Sequence, residues 1–170
     1  VKPSSVGSWN KHALTVERTQ DHKDPSIVAT GIMAASTGGR ATLIHFDDAI
    51  GMRNALTQPG MRQQVKESFY SNWLPLLDPL VGRWYMTATP WHVEDLVTEL
   101  RQNKNIPKTK EVWVDQEFKS PWPERFTSEY FKQCLGQYKI RGYNRAFRGI
   151  ALSDEETWIN PLAIKSCIDR

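Results

Sequence analysis

The segment Leu43-Ile44-His45-Phe46 is short and mostly apolar, and it is stopped at once by Asp47-Asp48. A run of that length ended by turn-forming residues reads as a buried central strand. Two acids at its carboxyl end then stand where ligands of open α/β sheets bind. The following segments extend the pattern. From Met61 to Leu77 the apolar residues Val65, Phe69, Trp73 and Leu76 recur every three to four positions, with Arg62, Gln63, Lys66 and Glu67 on other faces. That spacing predicts an amphipathic helix stopping between Pro75 and Pro79. Gly82 to Ala88 reads as a second inner strand ended by Thr89-Pro90, and Val93 to Leu100 as a helix with Glu94 and Asp95 in its first turn. Strand, helix, strand, helix in succession is the mark of βαβ units and a parallel sheet.

The flanks are less regular. Ala13 to Val16 and Ile27 to Ile32 read as neighbouring strands, separated by the turn-rich Asp21-His22-Lys23-Asp24-Pro25. After a Lys-, Asn- and Pro-rich linker from Asn103 to Lys110, Val112-Trp113-Val114 suggests one more strand, and Pro121-Trp122-Pro123 forbids regular structure. Thr127-Ser128-Glu129 offers a cap for a helix beginning near Tyr130. Lys139 to Gly149 predicts a final helix, with Ile140, Tyr143 and Phe147 on one face and Arg141, Arg145 and Arg148 on another.

Composition narrows the class. A chain of 170 residues is about one domain's worth, too long for a disulfide-stapled miniprotein. With 24% charged and 39% hydrophobic residues it is not a disordered tail. The net charge is only +3, so a polyanion would have to be held by a local patch. Cys134 and Cys167 form no C-x-x-C pair and read as packing residues of a reducing compartment. No apolar run approaches the roughly 20 residues of a membrane span, which predicts a soluble intracellular chain. The first residue, Val1, and the charged end at Arg170 suggest a piece of a longer protein.

Two constellations carry chemistry. A carboxylate at the tip of a buried strand is what nucleotide hydrolysis needs to hold Mg²⁺ against phosphate, and a second acid beside it can orient and deprotonate water. Asp47 and Asp48 supply that pair, although a solvated strand terminus has the same appearance. One strand-helix unit later comes Thr87-Ala88-Thr89-Pro90-Trp91-His92, whose hydroxyls would sense a phosphate or its water; β-propensity and helix capping are the competing reading. From Tyr130 to Ser153 there is no acid, while Lys132, Lys139, Arg141, Arg145 and Arg148 alternate with Tyr138, Tyr143 and Phe147. Such a stripe can follow a phosphate backbone, or its arginines can be solvated while the aromatics face a core. His12, His22, His45 and His92 assemble no metal site in the sequence.

Arg40 through Leu96, with the acidic pair, Thr87-Ala88-Thr89-Pro90-Trp91-His92 and Glu94-Asp95-Leu96, resembles the ATPase domain of the large terminase subunit of tailed bacteriophages, the motor that pumps DNA into proheads. Asp24-Pro25-Ser26, Thr37-Gly38-Gly39-Arg40, Pro121-Trp122-Pro123-Glu124-Arg125-Phe126 and Tyr143-Asn144-Arg145 resemble segments that follow in the same order in that family, so the likeness runs over roughly residues 9 to 150. It implies an α/β fold, part of a P-loop (ASCE/RecA-like) motor domain with a mainly parallel central sheet. Residues 1–120 would carry the acidic (Walker B-like) and coupling motifs, and 121–170 a helical subdomain or linker toward a nuclease domain.

By the same resemblance Asp47 is the Mg²⁺-side acid, and Asp48, where many relatives have Glu, activates water. Thr87, Ala88 and Thr89 form the coupling motif, Arg40 is the candidate trans-acting arginine, and Lys139, Arg141, Arg145 and Arg148 are the DNA-binding candidates. The complete motor would use ATP and Mg²⁺ and assemble as a homo-oligomeric ring. It would engage double-stranded DNA, the portal protein and the small terminase subunit in the host bacterial cytoplasm, transiently at the prohead portal, with no membrane. No Gly-Lys dipeptide occurs in the sequence, so the phosphate-cradling Gly-x-x-x-x-Gly-Lys-Ser/Thr is missing, and the chain is expected to be inactive alone. Sheet edges left open by missing P-loop strands would make it self-associate or need a partner. A helicase-like ATPase also carries an acidic pair followed by Thr-Ala-Thr, but Trp91-His92 and Pro121 to Phe126 favour terminase. A non-catalytic prophage remnant that binds DNA or packaging partners is the alternative of a different class.

Overall fold

In the computed structural model, β3, Leu43–Asp47, buries Ile44 and Phe46 and exposes Leu43, His45 and Asp47. Its parallel neighbour β4, Arg83–Thr87, exposes Arg83, Tyr85 and Thr87 and half-buries Trp84 and Met86. The period of two follows from the pleat, and here it decides which face is covered. The expected buried central strand is therefore corrected: Leu43 is 56% exposed, and the aromatic packing of Phe46 on Phe69, Trp73 and Trp84 covers the Ile44 and Phe46 side of a two-stranded sheet. The structure describes residues 4, 7–19, 22–34, 38–107 and 110–153. Asp21 of the expected first turn, Thr37 of the glycine-rich turn, residues 108 and 109 of the linker, Cys167 and the rest of 154–170 in the expected linker region lie outside them.

The chain is mixed α/β and divides into two units. The first comprises residues up to 49 together with 67–86. In it β1, Ala13–Leu14, pairs antiparallel with β2, Ile27–Val28, as the sequence predicts, but both are only two residues long. The core is aromatic. Phe46 lies 5.1 Å from Phe69 and meets Trp73 and Trp84 edge-on, and Phe69 meets Trp84 at 5.3 Å between ring centroids. Burying one such Phe contributes about 1.5–3 kcal/mol, and the edge-to-face geometry adds about 0.5–1.5 kcal/mol per pair.

The expected single helix over 61–77 changes pitch instead. A regular α1, Gly60–Glu67, gives way to a π-helical turn, Ser68–Trp73, and a 3₁₀ turn, Leu74–Leu76, with Pro75 in its first positions. The reason is on one carbonyl. Ser68 Oγ donates to Ile32 O at 2.6 Å and Trp73 Nε1 donates to the same oxygen at 2.8 Å. Residues five apart stand about 140° apart around an α-helix and cannot share an acceptor, whereas the wider π turn brings them to one face. β4 is then entered through a tight turn. The Asp78 carboxylate accepts from the Leu80 and Val81 N–H groups, and Gly82 N–H donates to Asp78 O at 2.8 Å; a Cβ on Gly82 would collide with that oxygen.

The second unit comprises residues 50–66 and those from 87 onward. It holds a π-helical turn, Arg53–Thr57, then α1 up to Lys66, and α2, Leu96–Gln102, whose Leu96, Val97 and Leu100 are buried. The expected helix start at Val93 is corrected to Leu96, because Asp95 serves as the cap and residues 93–95 form a turn. α3, Ser128–Gln137, is capped by Thr127 Oγ1, which accepts from Tyr130 N–H at 3.3 Å, as expected. α4, Ile140–Arg148, ends at Gly149, whose φ of +60° places it in the left-handed region where glycine is favoured.

Between them Phe131, Cys134, Tyr143 and Val114 form a core, flanked by Phe118, Phe126, Leu135 and Phe147. The strand expected at Val112-Trp113-Val114 is absent. Val114 N–H donates instead to Phe147 O at 2.8 Å, a helix-end carbonyl in need of a donor, so this extended segment closes α4 and joins no ladder. No helix among the described residues is long and apolar enough to cross a membrane.

Candidate functional site

Asp47 is the last residue of β3 and Asp48 the first beyond it; both are exposed. Asp48 adopts φ +44°, a left-handed conformation that few residues other than glycine enter and that Asp tolerates better than most. The chain thus turns sharply at the strand tip, so the two successive carboxylates leave a bent backbone rather than alternate along a strand. His45 shares the exposed face of β3 with Asp47. Among the described residues no three His, Cys, Asp or Glu side chains cluster as a metal cage. One or two exposed carboxylates still suit Mg²⁺, which takes few protein ligands when phosphates and water complete its shell.

Arg40, the candidate trans-acting arginine, is exposed. Its backbone N–H donates to the Asp24 carboxylate at 3.0 Å, and its guanidinium donates to Gly39 O at 3.1 Å. These contacts pin the backbone beside the glycine pair and leave the side chain at the surface. Its charge also helps to hold the Asp78 carboxyl below its ordinary range, a lesser effect than the Val81 and Leu80 N–H bonds.

In the second unit, Thr87 is exposed at the end of β4, Ala88 and Thr89 are half-buried, and Pro90 is buried. Beyond them the chain is tied into a knot by one carboxylate. Asp95, 1% exposed, accepts from Trp91 N–H at 2.7 Å and His92 N–H at 2.9 Å through Oδ2, and from Thr98 N–H at 2.8 Å through Oδ1. Thr98 Oγ1 donates to His92 O at 2.9 Å, and His92 Nδ1 accepts from Glu94 N–H at 3.0 Å, which puts the ring proton of a neutral imidazole on Nε2. His92 is therefore held within the knot by both its ring and its backbone. The organising role of Asp95 was partly legible: an acid immediately before the apolar run Leu96-Val97 is an N-cap signal.

The basic candidates part company. Lys139 is exposed and caps α4 without a side-chain hydrogen bond. Arg141 is half-buried, and Arg148 donates to Asn144 Oδ1 at 3.4 Å. Arg145 sits over the Trp91 ring, its Cζ 4.0 Å from the centroid, and burial pushes its pKa down. The large apolar residue Ile140 at the start of α4 is exposed, at 52%. The stripe is therefore uneven, with cations at its start and an arginine stacked on an indole near its end.

The sequence reading did not anticipate a second cluster. Arg62, 8% exposed, donates to Ala55 O at 3.0 Å and pairs with Glu94 at 3.3 Å, while Lys66 pairs with Glu99 at 2.7 Å. These pairs line a cleft of about 430 Å³ that Gln63 and Gln102 also border. The spacing of Arg62 and Lys66, one helical turn apart, was the available signal, but their partners lie some thirty residues away in sequence. No protein-family model matches the chain, and no curated protein matches its sequence.

Proposed function

We propose that the chain is part of the ATPase motor of a large terminase subunit, in which ATP hydrolysis drives double-stranded DNA into a prohead. One observation carries the reading: two parallel neighbouring strands, the first ending on exposed Asp47-Asp48 and the second on Thr87-Ala88-Thr89. Ligand sites of α/β proteins gather at the carboxyl ends of such strands. On this reading the strands belong to a P-loop (ASCE/RecA-like) motor fold.

Asp47 would hold Mg²⁺ together with the phosphates of ATP, and the ion would neutralise charge developing on the transferred phosphoryl group. Asp48, on a backbone that turns at φ +44° just beyond β3, would orient the attacking water and take its proton. Thr87 and Thr89 would register the phosphate, and the knot built on Asp95 would receive the displacement. Because the sequence has no Gly-x-x-x-x-Gly-Lys-Ser/Thr, the phosphate cradle would come from another polypeptide segment. Double-stranded DNA, portal and small terminase subunit would be the partners of the assembled ring, with Lys139, exposed at the start of α4, the leading DNA contact.

Calorimetric titration with Mg·ATP, first of this chain and then after adding a chain bearing the P-loop segment, tests the proposal. Binding and turnover are expected only in the mixture, with turnover lowered about 100-fold or more by Asp48→Ala, the usual span for loss of a general base. Mixture turnover indifferent to Asp47→Ala and Asp48→Ala, or no nucleotide binding in any mixture, would overturn it.

A further inference from the structure

We propose that Arg145 is a positioning residue: its guanidinium clamps the Trp91 indole, so that the end of α4 and the segment following Thr87-Ala88-Thr89 move as one body. The inference rests on the proposed reading of Thr87-Ala88-Thr89 as the coupling motif, and it names the element that the motif drives.

Two separate attachments make the body. The first is backbone. His92 and Leu152 form a parallel bridge, with Val93 N–H donating to Leu152 O at 2.9 Å and Leu152 N–H donating to Trp91 O at 3.2 Å. Leu152 is carried by the end of α4, because Gly149 and Ile150 N–H groups both close onto Asn144 O, the latter at 3.1 Å. The second is the stack. Of the four arginine–aromatic contacts among the described residues, Arg145 on Trp91 is the shortest at 4.0 Å; the others lie between 5.1 and 5.9 Å. An indole is the strongest cation–π partner, and partial burial of the cation strengthens the attraction. Partial burial accordingly lowers the pKa of Arg145.

Little slack separates the two ends of this connection. Pro90 has a fixed φ and is fully buried, and Asp95 holds the Trp91 and His92 N–H groups. A shift at Thr89 therefore reaches Trp91 after one restrained residue, and Trp91 passes it to α4 by the stack and by the Leu152 bridge. This assigns the Arg145 face to internal contact and removes it from the surface available to a phosphate backbone.

The test uses the whole chain, ¹⁵N-labelled. The Arg145 Nε–H resonance is expected to show an upfield ring-current shift that Trp91→Leu abolishes. In Arg145→Gln, amide exchange at Val93 and Leu152 is expected to accelerate about tenfold, within the range of a desolvated cation–π contact, with Arg145→Lys restoring part of the protection and the α3 amides unaffected. Thr89→Val is expected to perturb the Leu152 and Asn144 amide shifts in the wild-type background and by less than about half as much in Arg145→Gln. No ring-current shift, unchanged exchange at Val93 and Leu152, equal acceleration throughout α3, or Thr89→Val perturbations that ignore residue 145 would each overturn the clamp. None of these measurements contains nucleotide, so a failure of the ATPase proposal is recognised separately, by calorimetry.

Discussion

Removing the Asp95 carboxylate measures how much of the second unit depends on one buried acid. Asp95→Ala strips an N-cap from α2, worth about 1 kcal/mol. It also leaves the Trp91 and His92 N–H groups without the acceptor that holds them at 2.7 and 2.9 Å. His92 is 1% exposed, so its N–H has no ready access to water, and each stranded donor costs about 1–3 kcal/mol. Together the loss is about 3–7 kcal/mol, a large part of the 5–15 kcal/mol typical of a domain. Urea unfolding followed by circular dichroism is the assay; with a slope near 2 kcal/mol per molar, the midpoint should fall by roughly 1.5–3.5 M at unchanged slope. Asp95→Ser separates the contributions. A serine hydroxyl caps Thr98 but is too short to span to the Trp91 and His92 amides as well, so it should recover only about 1 kcal/mol. A midpoint shift for Asp95→Ala below about 0.3 M would show that the knot is not held by this carboxylate, and the reasoning would fail.

Gly149→Ala should destabilise the chain by about 2–4 kcal/mol, since its φ of +60° strains any L side chain and the new Cβ would collide with the Trp113 ring; thermal unfolding reads it, and Gly149→Asn should be no better if the collision dominates. The Asp78 carboxyl is held below its ordinary value of 3.8, chiefly by the Val81 and Leu80 N–H bonds, so its contribution to the turn is present above the unfolded pKa and lost as pH falls through the lower folded one. Acid titration of the Leu80 and Val81 amide shifts should have a midpoint below 3.8, and a midpoint at or above that value would refute the assignment.

The elements that sequence made legible are those whose signal is local. The β3 run, the Thr127 cap and the two helices α3 and α4 were read from neighbouring residues alone, because apolar runs, capping and helical spacing are decided within a few positions. The change of pitch within 61–77 was not, since the shared Ile32 carbonyl that widens the turn lies 36 and 41 residues before the donors. The extended segment around Val114 looked like a strand because its residues favour strands, yet the available partner was the Phe147 carbonyl at a helix end.

The candidate site divides the same way. Asp47, Asp48 and the Thr87 to Thr89 motif stand out in the sequence because a strand tip is a local event: apolar residues that must be buried, then polar ones that cannot be. Their chemical types are thus decided by the chain itself. Which cation is free to meet a phosphate is decided only by packing. Arg141, Arg145 and Arg148 are equivalent by helical spacing, but Trp91, more than fifty residues earlier in the chain, engages Arg145 in a cation–π contact. Asp95 looks like an ordinary first-turn acid in the sequence; folding turns it into the acceptor of three amides from two directions. Burial and partners are properties of residues brought together across the chain, and a one-dimensional pattern carries residue type and spacing but not the identity of the group that arrives opposite.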